Sequence, residues 1–303
     1  MTLRIGTRGS ALASAQATII ADRLAAKSGQ KVELVIISSE GDRSAESLTT
    51  IGGTGVFATA LREALLADEC DLLVHSLKDL PTAAHPGLVV AAIPRRADAR
   101  DALCARDGLR LVDLPAGARV GTGSPRRCAQ LRAERPDLDV VDVRGNVDTR
   151  LGKVASGELD AVVLALAGLQ RLGRAEAATE IFELSDWPTA PGQGALALEV
   201  RAGNEKLVAA LDHKPSRLVV EAERLVLARL EAGCSAPIGA WAEIDDGLLF
   251  LSARVYRADG SAALTSSHAL YPSDVKQPAA ELAERVAKEL LDLGAAELTG
   301  ALR

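Results

Sequence analysis

The stretch RVGTGSPRRCAQLRAERPDLDVVDVRGNVDTRLGK, residues Arg119 to Lys153, reads as a strand, a glycine loop, a helix, a second strand, a tight turn and a second helix. Strand and helix in alternation imply a sheet of mostly parallel strands covered by helices. The stretch carries eight Lys/Arg (119, 126, 127, 132, 135, 144, 150, 153) against five Asp/Glu (134, 137, 139, 142, 148), inside a chain of formal net charge −6. A basic island in an acidic chain asks for an anionic ligand. Gly121, Gly123 and Ser124 precede Pro125 at a predicted helix start, an arrangement that aims backbone N–H groups at an anion with Arg126 and Arg127 beside them. Arg144-Gly145-Asn146 forms the second junction, and Arg150 lies on the helix that follows. Arginine suits planar carboxylates because its fork donates two parallel hydrogen bonds. Arg132 and Arg135 read instead as solvated helix positions.

Working outward, the first hundred residues repeat the alternation: strands Leu3–Gly6, Val32–Ser38, Asp71–His75 and Leu88–Ile93, with helices Ser10–Lys27 and Gly55–Ala67. Ligands in such sheets bind beyond the carboxyl ends of the strands. The polar groups there are Thr7-Arg8-Gly9-Ser10, Gly41-Asp42-Arg43 and Ser76-Leu77-Lys78-Asp79. Asp79 lies with Ser76 and Lys78 just before Pro81, which ends the strand. A lone acid in this position is more often a surface group or cap than a catalyst.

From Asp101 a second run of strands is expected at Ala102–Ala105, Ala118–Gly121, Leu138–Val143 and Asp160–Leu164, with Arg171 in the segment closing its last helix. Residues 186 to 200 then cross back to the first sheet through a turn at Gly192-Gln193-Gly194. Two α/β lobes joined by two crossovers enclose a cleft, in which the arginines of the second lobe face Arg8, Ser10 and Asp79 of the first. A strongly amphipathic helix over 216–232 ends at Gly233-Cys234-Ser235. Three antiparallel strands (Ile238–Ile244, Leu248–Tyr256, Ala262–Leu270) and a helix over 275–293 complete a small α+β domain. The expected division is 1–97 with 190–213, then 98–189, then 214–303. Cys234, in a turn after the helix, has an accessible sulfur, although inert buried cysteines are common.

Composition narrows the classes. The N-terminus MTLRIGTRGS enters a strand at once, leaving no room for a signal peptide, and no apolar run would cross a bilayer, so a cytoplasmic protein is expected. Four cysteines (70, 104, 128, 234) without CxxC spacing read as reduced thiols. Four histidines without HExxH spacing argue against a metal site, and seven aromatic residues with an acidic balance argue against nucleic acid. Gly53-x-Gly55-x-x-Ala58 matches a dinucleotide fingerprint formally, but the polar segment before it is no strand, so a glycine loop acting as a lid, with Gly55 and Phe57, is the better reading. A solute-binding or sensor domain is the other rival. It would normally bring an export signal or an attached DNA-binding module.

IGTRGSALASAQA, VHSLKDLP, GTGSPRRCAQL, RGNVDTRL, APGQGAL and LEAGCSAPIGA, in this order between residues 5 and 240, resemble the porphobilinogen deaminase (hydroxymethylbilane synthase) family. The resemblance implies two lobes like those of periplasmic binding proteins and a small third domain. It implies a monomeric enzyme, without metal, that makes hydroxymethylbilane from four porphobilinogen molecules on a covalent dipyrromethane primer. In it Cys234 holds the primer by a thioether and Asp79 is the catalytic acid. The resemblance assigns Ser76, Lys78, Asp79, Thr122, Ser124, Arg126, Arg127, Arg144 and Gly145 to the cofactor. To the substrate it assigns Arg8, Ser10, Arg144, Arg150, Arg171 and Gln193. Thr54 and Thr59 stand where many members carry lysine, so carboxylate contacts from the glycine loop are not implied here.

Overall fold

The computed structural model describes residues 2–37, 56–231 and 236–299. Gly41, Asp42, Arg43, Thr54, Gly55 and Cys234 therefore lie outside the described residues, as does the loop read as a lid; of Phe57 only the backbone is described. In chain order the elements are β1 (Leu3–Thr7), α1 (Ala11–Ser28), β2 (Val32–Ile36), α2 (Val56–Leu66), β3 (Leu72–Ser76) and β4 (Leu88–Ala92). There follow β5 (Asp101–Ala105), β6 (Arg119–Gly121), α3 (Pro125–Glu134), β7 (Asp139–Val141), α4 (Val147–Ala155), β8 (Ala161–Ala165), α5 (Leu166–Arg171) and β9 (Glu180–Ile181). The chain ends in β10 (Leu196–Arg201), α6 (Lys214–Arg229), β11 (Ile238–Asp245), β12 (Leu248–Tyr256), β13 (Ala263–Leu270), α7 (Pro278–Asp292) and α8 (Ala295–Thr299). They fall into two compact units, Met1–Ala97 with Gly194–Arg217 and Asp98–Gln193 with Leu218–Arg303.

The first unit holds a five-stranded sheet of order β2-β1-β3-β10-β4. β1 pairs in parallel with β2 and β3, whereas β10 runs antiparallel to both of its neighbours, β3 and β4. The second unit repeats the scheme as β7-β6-β8-β5-β9, with β5 as its reversed strand. The sheets are thus mixed and mostly parallel: the one reversed strand in each is the first strand formed after the chain enters that unit from the other. β9, which the sequence pattern does not announce, is a two-residue edge strand. β7 is shorter than its apolar run because pairing stops at Val141, whose carbonyl accepts from Thr122 N at 3.0 Å.

Local chemistry explains the helices that flank the sites. Ser10 caps α1, its hydroxyl accepting from Ala13 N, and Gly29 closes the helix at φ 68°. Ala17, Ile20 and Leu24 turn one face of α1 onto Ile5, Leu72 and Leu198 of the sheet. Gly6 is needed inside β1, since a Cβ there would lie 2.7 Å from Cys70 Sγ and Leu73 Cδ2. Gly121 plays the same part in β6, against Leu159 and Val143.

β11, β12 and β13 form an antiparallel sheet covered by α7, whose buried residues Ala279, Leu282, Ala283, Val286, Ala287 and Leu290 keep helical spacing. Within the second unit this sheet rests on α3. Gly260, at φ +79° in the β12–β13 turn, brings the chain so close that a Cβ would lie 2.7 Å from Ala129 O and Ala133 N. No described helix is long and apolar enough to cross a membrane.

Candidate active site

In the first unit, Arg8, Ser10, Gln16, His75, Ser76 and Asp79 line one pocket at the carboxyl ends of β1 and β3. β3 gives way to a single 3-10 turn, Leu77–Asp79, before Pro81 is reached, and Leu77 N donates to Ala195 O at 3.0 Å. The turn leaves the Asp79 side chain exposed and Lys78 half-buried. Ser76 Oγ is held from the other side by the amide of Gln16, accepting from Nε2 at 2.9 Å. Ser10 serves as the cap of α1 in the same pocket.

In the second unit, the loop between β6 and α3 is wired inward. Ser124 N donates to the fully buried Thr122 Oγ1 at 3.3 Å, and Arg127 N to Ser124 Oγ at 3.5 Å. Two backbone N–H groups expected to face an anion are therefore taken up by the loop's own hydroxyls, with Pro125 in the first turn as expected. Arg126 and Arg127 are also turned inward, 3% and 6% exposed, around Asp101 at the start of β5. Asp101, fully buried, accepts from Arg126 Nη2 (2.9 Å), Arg127 Nε (3.1 Å), Arg127 Nη2 (2.6 Å), Trp187 Nε1 (3.1 Å) and Gln193 Nε2 (2.8 Å). Burial alone would raise its carboxyl, but the charges of Arg127 and Arg126 outweigh that and hold it well below the usual carboxylate range. Gln193 is fully buried and tied by Nε2 to Ala99 O as well, at 2.8 Å.

Further arginines stand near this cluster. The turn before α4 needs Gly145 at φ +105°, where a Cβ would lie 2.8 Å from Thr149 Cγ2, and Asn146 caps the helix by accepting from Thr149 N at 2.8 Å. This turn carries Arg144 at one end and Arg150 at the other. Arg150 Nε donates to Gly145 O at 3.0 Å. Burial lowers the Arg150 guanidinium and the positive charges of Arg127 and Arg144 lower it further, with Asp142 opposing. A cation pressed among cations marks a place built for an anion. Arg126 Nε is buried with no hydrogen-bond partner among the described residues. A spare buried donor and a cluster of guanidinium groups fit a polycarboxylate such as a dipyrromethane.

Arg8, Ser10, Ser76 and Asp79 thus share one pocket, while Arg127, Arg144 and Arg150 share one field, with Thr122, Ser124 and Gly145 in the loops that shape it. Arg171 is half-buried at the end of α5. Arg132 donates to Ala258 O at 2.9 Å. Arg135 is stitched to Leu111 O, Leu114 O and Asp137, so the expectation of a freely solvated side chain is corrected. Asp101 and the buried Glu199 escaped the sequence reading. Each is the one acid in a mostly apolar strand, DALCA and LALEVR, and that was the signal available. Burial pushes the Cys70 thiol up to about 11 and Cys104 to about 12, and raises Cys128 as well. No group of three or more metal-binding side chains occurs among the described residues.

Residues 3–209 match the family described as porphobilinogen deaminase, dipyromethane cofactor binding domain, and residues 217–292 match the porphobilinogen deaminase C-terminal domain. The chain is 62% identical over 308 residues to the porphobilinogen deaminase of Leifsonia xyli, covering 98% of this chain and 94% of that protein. It is 53% identical over 304 residues to the porphobilinogen deaminase of Thermobifida fusca, covering 97% and 95%. Porphobilinogen deaminase 1 of Streptomyces coelicolor is 52% identical over 310 residues, covering 98% and 97%. With both family domains matched in order and half or more of the residues shared with these relatives, the chain belongs to the porphobilinogen deaminase family.

Proposed function

We infer that the protein deaminates four porphobilinogen molecules, condenses them head to tail on a covalent dipyrromethane, and releases hydroxymethylbilane by hydrolysis, as a transferase of tetrapyrrole biosynthesis. The observation that carries this reading is the half-buried Arg150 lying within the charge of both Arg127 and Arg144, in segments that the family motifs supply. Each pyrrole ring brings an acetate and a propionate, so a growing chain accumulates the negative charge that these arginines offset.

When bound, the dipyrromethane supplies the free pyrrole α-carbon from which the chain grows. Cys234 is its attachment point; the family motif supports this, as does the burial that keeps the three described cysteines protonated. Arg144 and Arg150 receive its carboxylates with Arg127, Arg126 adds its spare Nε, and Thr122, Ser124 and Gly145 shape the loops around them. Asp101 and Gln193 hold the guanidinium planes still. Each charge-assisted hydrogen bond to a carboxylate contributes ~1.5–3 kcal/mol.

Asp79 protonates or steers the leaving amine and offsets the charge developing on the pyrrole nitrogen. Arg8, Ser10, Ser76 and Lys78 orient the incoming unit, and Arg171 assists with its carboxylates. The pocket that Arg8, Ser10, Ser76 and Asp79 form with Gln16 supports the assignment of those four residues. Three domains, 1–97 with 190–213, 98–189 and 214–303, act in concert as a monomer. Unpaired thiols at Cys70, Cys104 and Cys128 suit the reducing cytoplasm, and the net charge of −6 suits a small anionic substrate held by local arginines better than a nucleic acid or an anionic membrane.

The test is turnover of purified protein with porphobilinogen alone. The expected result is about four porphobilinogen consumed and four ammonia released for each hydroxymethylbilane. Consumption that depends on an added nicotinamide would contradict the reading.

A further inference from the structure

Beneath the Asp79 pocket lies a buried charged cluster that the proposed chemistry does not use. Glu199 on β10 is 2% exposed, and Arg62 on α2 grips it with a fork: Nε reaches Oε2 at 3.0 Å and Nη2 reaches Oε1 at 2.8 Å. His75 on β3 makes a further contact, from Nε2 to Glu199 Oε2 at 3.2 Å. The strand register explains the meeting. His75 stands opposite Ala197 and Leu73 opposite Glu199, so His75 and Glu199 are diagonal neighbours on one face of the sheet. Burial opposes ionisation of Glu199, but hydrogen bonds from His75 and Arg62 outweigh it and bring its pKa down to about 2. The carboxylate is thus an acceptor at neutral pH, and the proton of the shared hydrogen bond sits on His75 Nε2.

A buried ion pair is weak evidence for a stabilising role, because apolar residues fill such a space as well or better. The location suggests another task. His75 is the residue before Ser76, lines the same pocket as Asp79, and begins the segment that turns through Leu77 to Asp79. Leu77 N is held by Ala195 O, on the strand side that also carries Glu199. The carboxyl end of β3 is therefore held to β10 by the backbone ladder, which the Leu77 N–Ala195 O bond extends by one step, and in addition by a side-chain tie through the imidazole.

We propose that His75 is a positioning residue for the deamination step: Arg62 fixes Glu199, Glu199 fixes the imidazole through Nε2–H, and the imidazole fixes the wall and turn from which Asp79 meets the leaving amine. The inference rests on the porphobilinogen deaminase reading. Misplacing an acid by an ångström costs up to ~100-fold in rate while leaving remote binding contacts intact.

The test uses holoenzyme, with kcat expressed per cofactor-loaded molecule counted by intact mass. For His75→Leu the expected result is a kcat lower by ~10- to 100-fold with KM within about twofold. His75→Gln, whose amide N–H reaches the place of Nε2–H, should recover most of that loss. Should His75→Leu not fold, Glu199→Gln reads the same network, and its kcat per loaded molecule should fall with KM unchanged. Wild-type kcat in these variants, or a His75→Gln variant as impaired as His75→Leu, overturns the proposal. The imidazole 15N spectrum needs no turnover: an Nε2–H signal for His75 supports the proposal and an Nδ1–H tautomer overturns it. A wild-type protein without an adduct would instead sink the function reading, and the spectrum would still decide how His75 is held.

Discussion

Arg127 and Asp101 form a two-pronged buried ion pair, Nε to Oδ2 at 3.1 Å and Nη2 to Oδ1 at 2.6 Å, and Arg126 shares the same carboxylate. The pair converts two flexible side chains into a fixed positive surface beside Arg144 and Arg150. Asp101→Ala leaves two buried guanidinium groups without their counter-charge, which costs about 3–5 kcal/mol. Urea denaturation of the variant should show that loss, together with a lower fraction of cofactor-loaded protein. Wild-type stability would mean the cluster is not held as described.

Glu199 sets a stability window in acid. Its folded carboxyl titrates near 2 and its ordinary value is 4.5, so the folded state binds fewer protons than the unfolded state between those values. Its contribution, on the order of 3 kcal/mol, is present above pH 4.5 and is lost as pH falls toward 2. The stability gap between wild type and Glu199→Gln should therefore close across that window. A gap unchanged by pH would show that Glu199 is not the ionised partner of Arg62 and His75.

Asp79→Asn keeps the size of the side chain and removes its proton chemistry. The variant should still carry the primer yet lose ~100- to 10,000-fold in kcat. Near-normal turnover would take Asp79 out of its role.

Arg144→Leu removes one of the two cations whose charge bears on Arg150. The expected outcome is protein that fails to load the primer or that accumulates as partly elongated enzyme, resolved as a ladder of masses. Smooth product formation would contradict the assignment. Because the contacts are ionic, added salt should worsen the stall.

Much of the architecture was readable from local rules. Ser10 caps a helix, Pro125 starts one, and short apolar runs mark β1, β3, β6 and β8. What escaped was non-local. The inward bonds of Arg126 and Arg127 could not be read because nothing nearby in sequence announces Asp101, which meets Arg127 from 26 positions away. Arg62 and Glu199 are 137 positions apart, and only the return of β10 between β3 and β4 joins them. β9 is too short for a period to be visible. Arg135 reaches the distant backbone carbonyls of Leu111 and Leu114 as well as Asp137, and those backbone contacts leave no mark in composition.

The central claim is that a thiol of this chain carries an oligopyrrole whose carboxylates the arginines hold. The intact mass of the denatured protein, compared with Cys234→Ala, tests it most directly. The account predicts a two-pyrrole adduct that survives denaturation on the wild type and is missing from the variant. An adduct of the same mass on both, or none on the wild type, would contradict it.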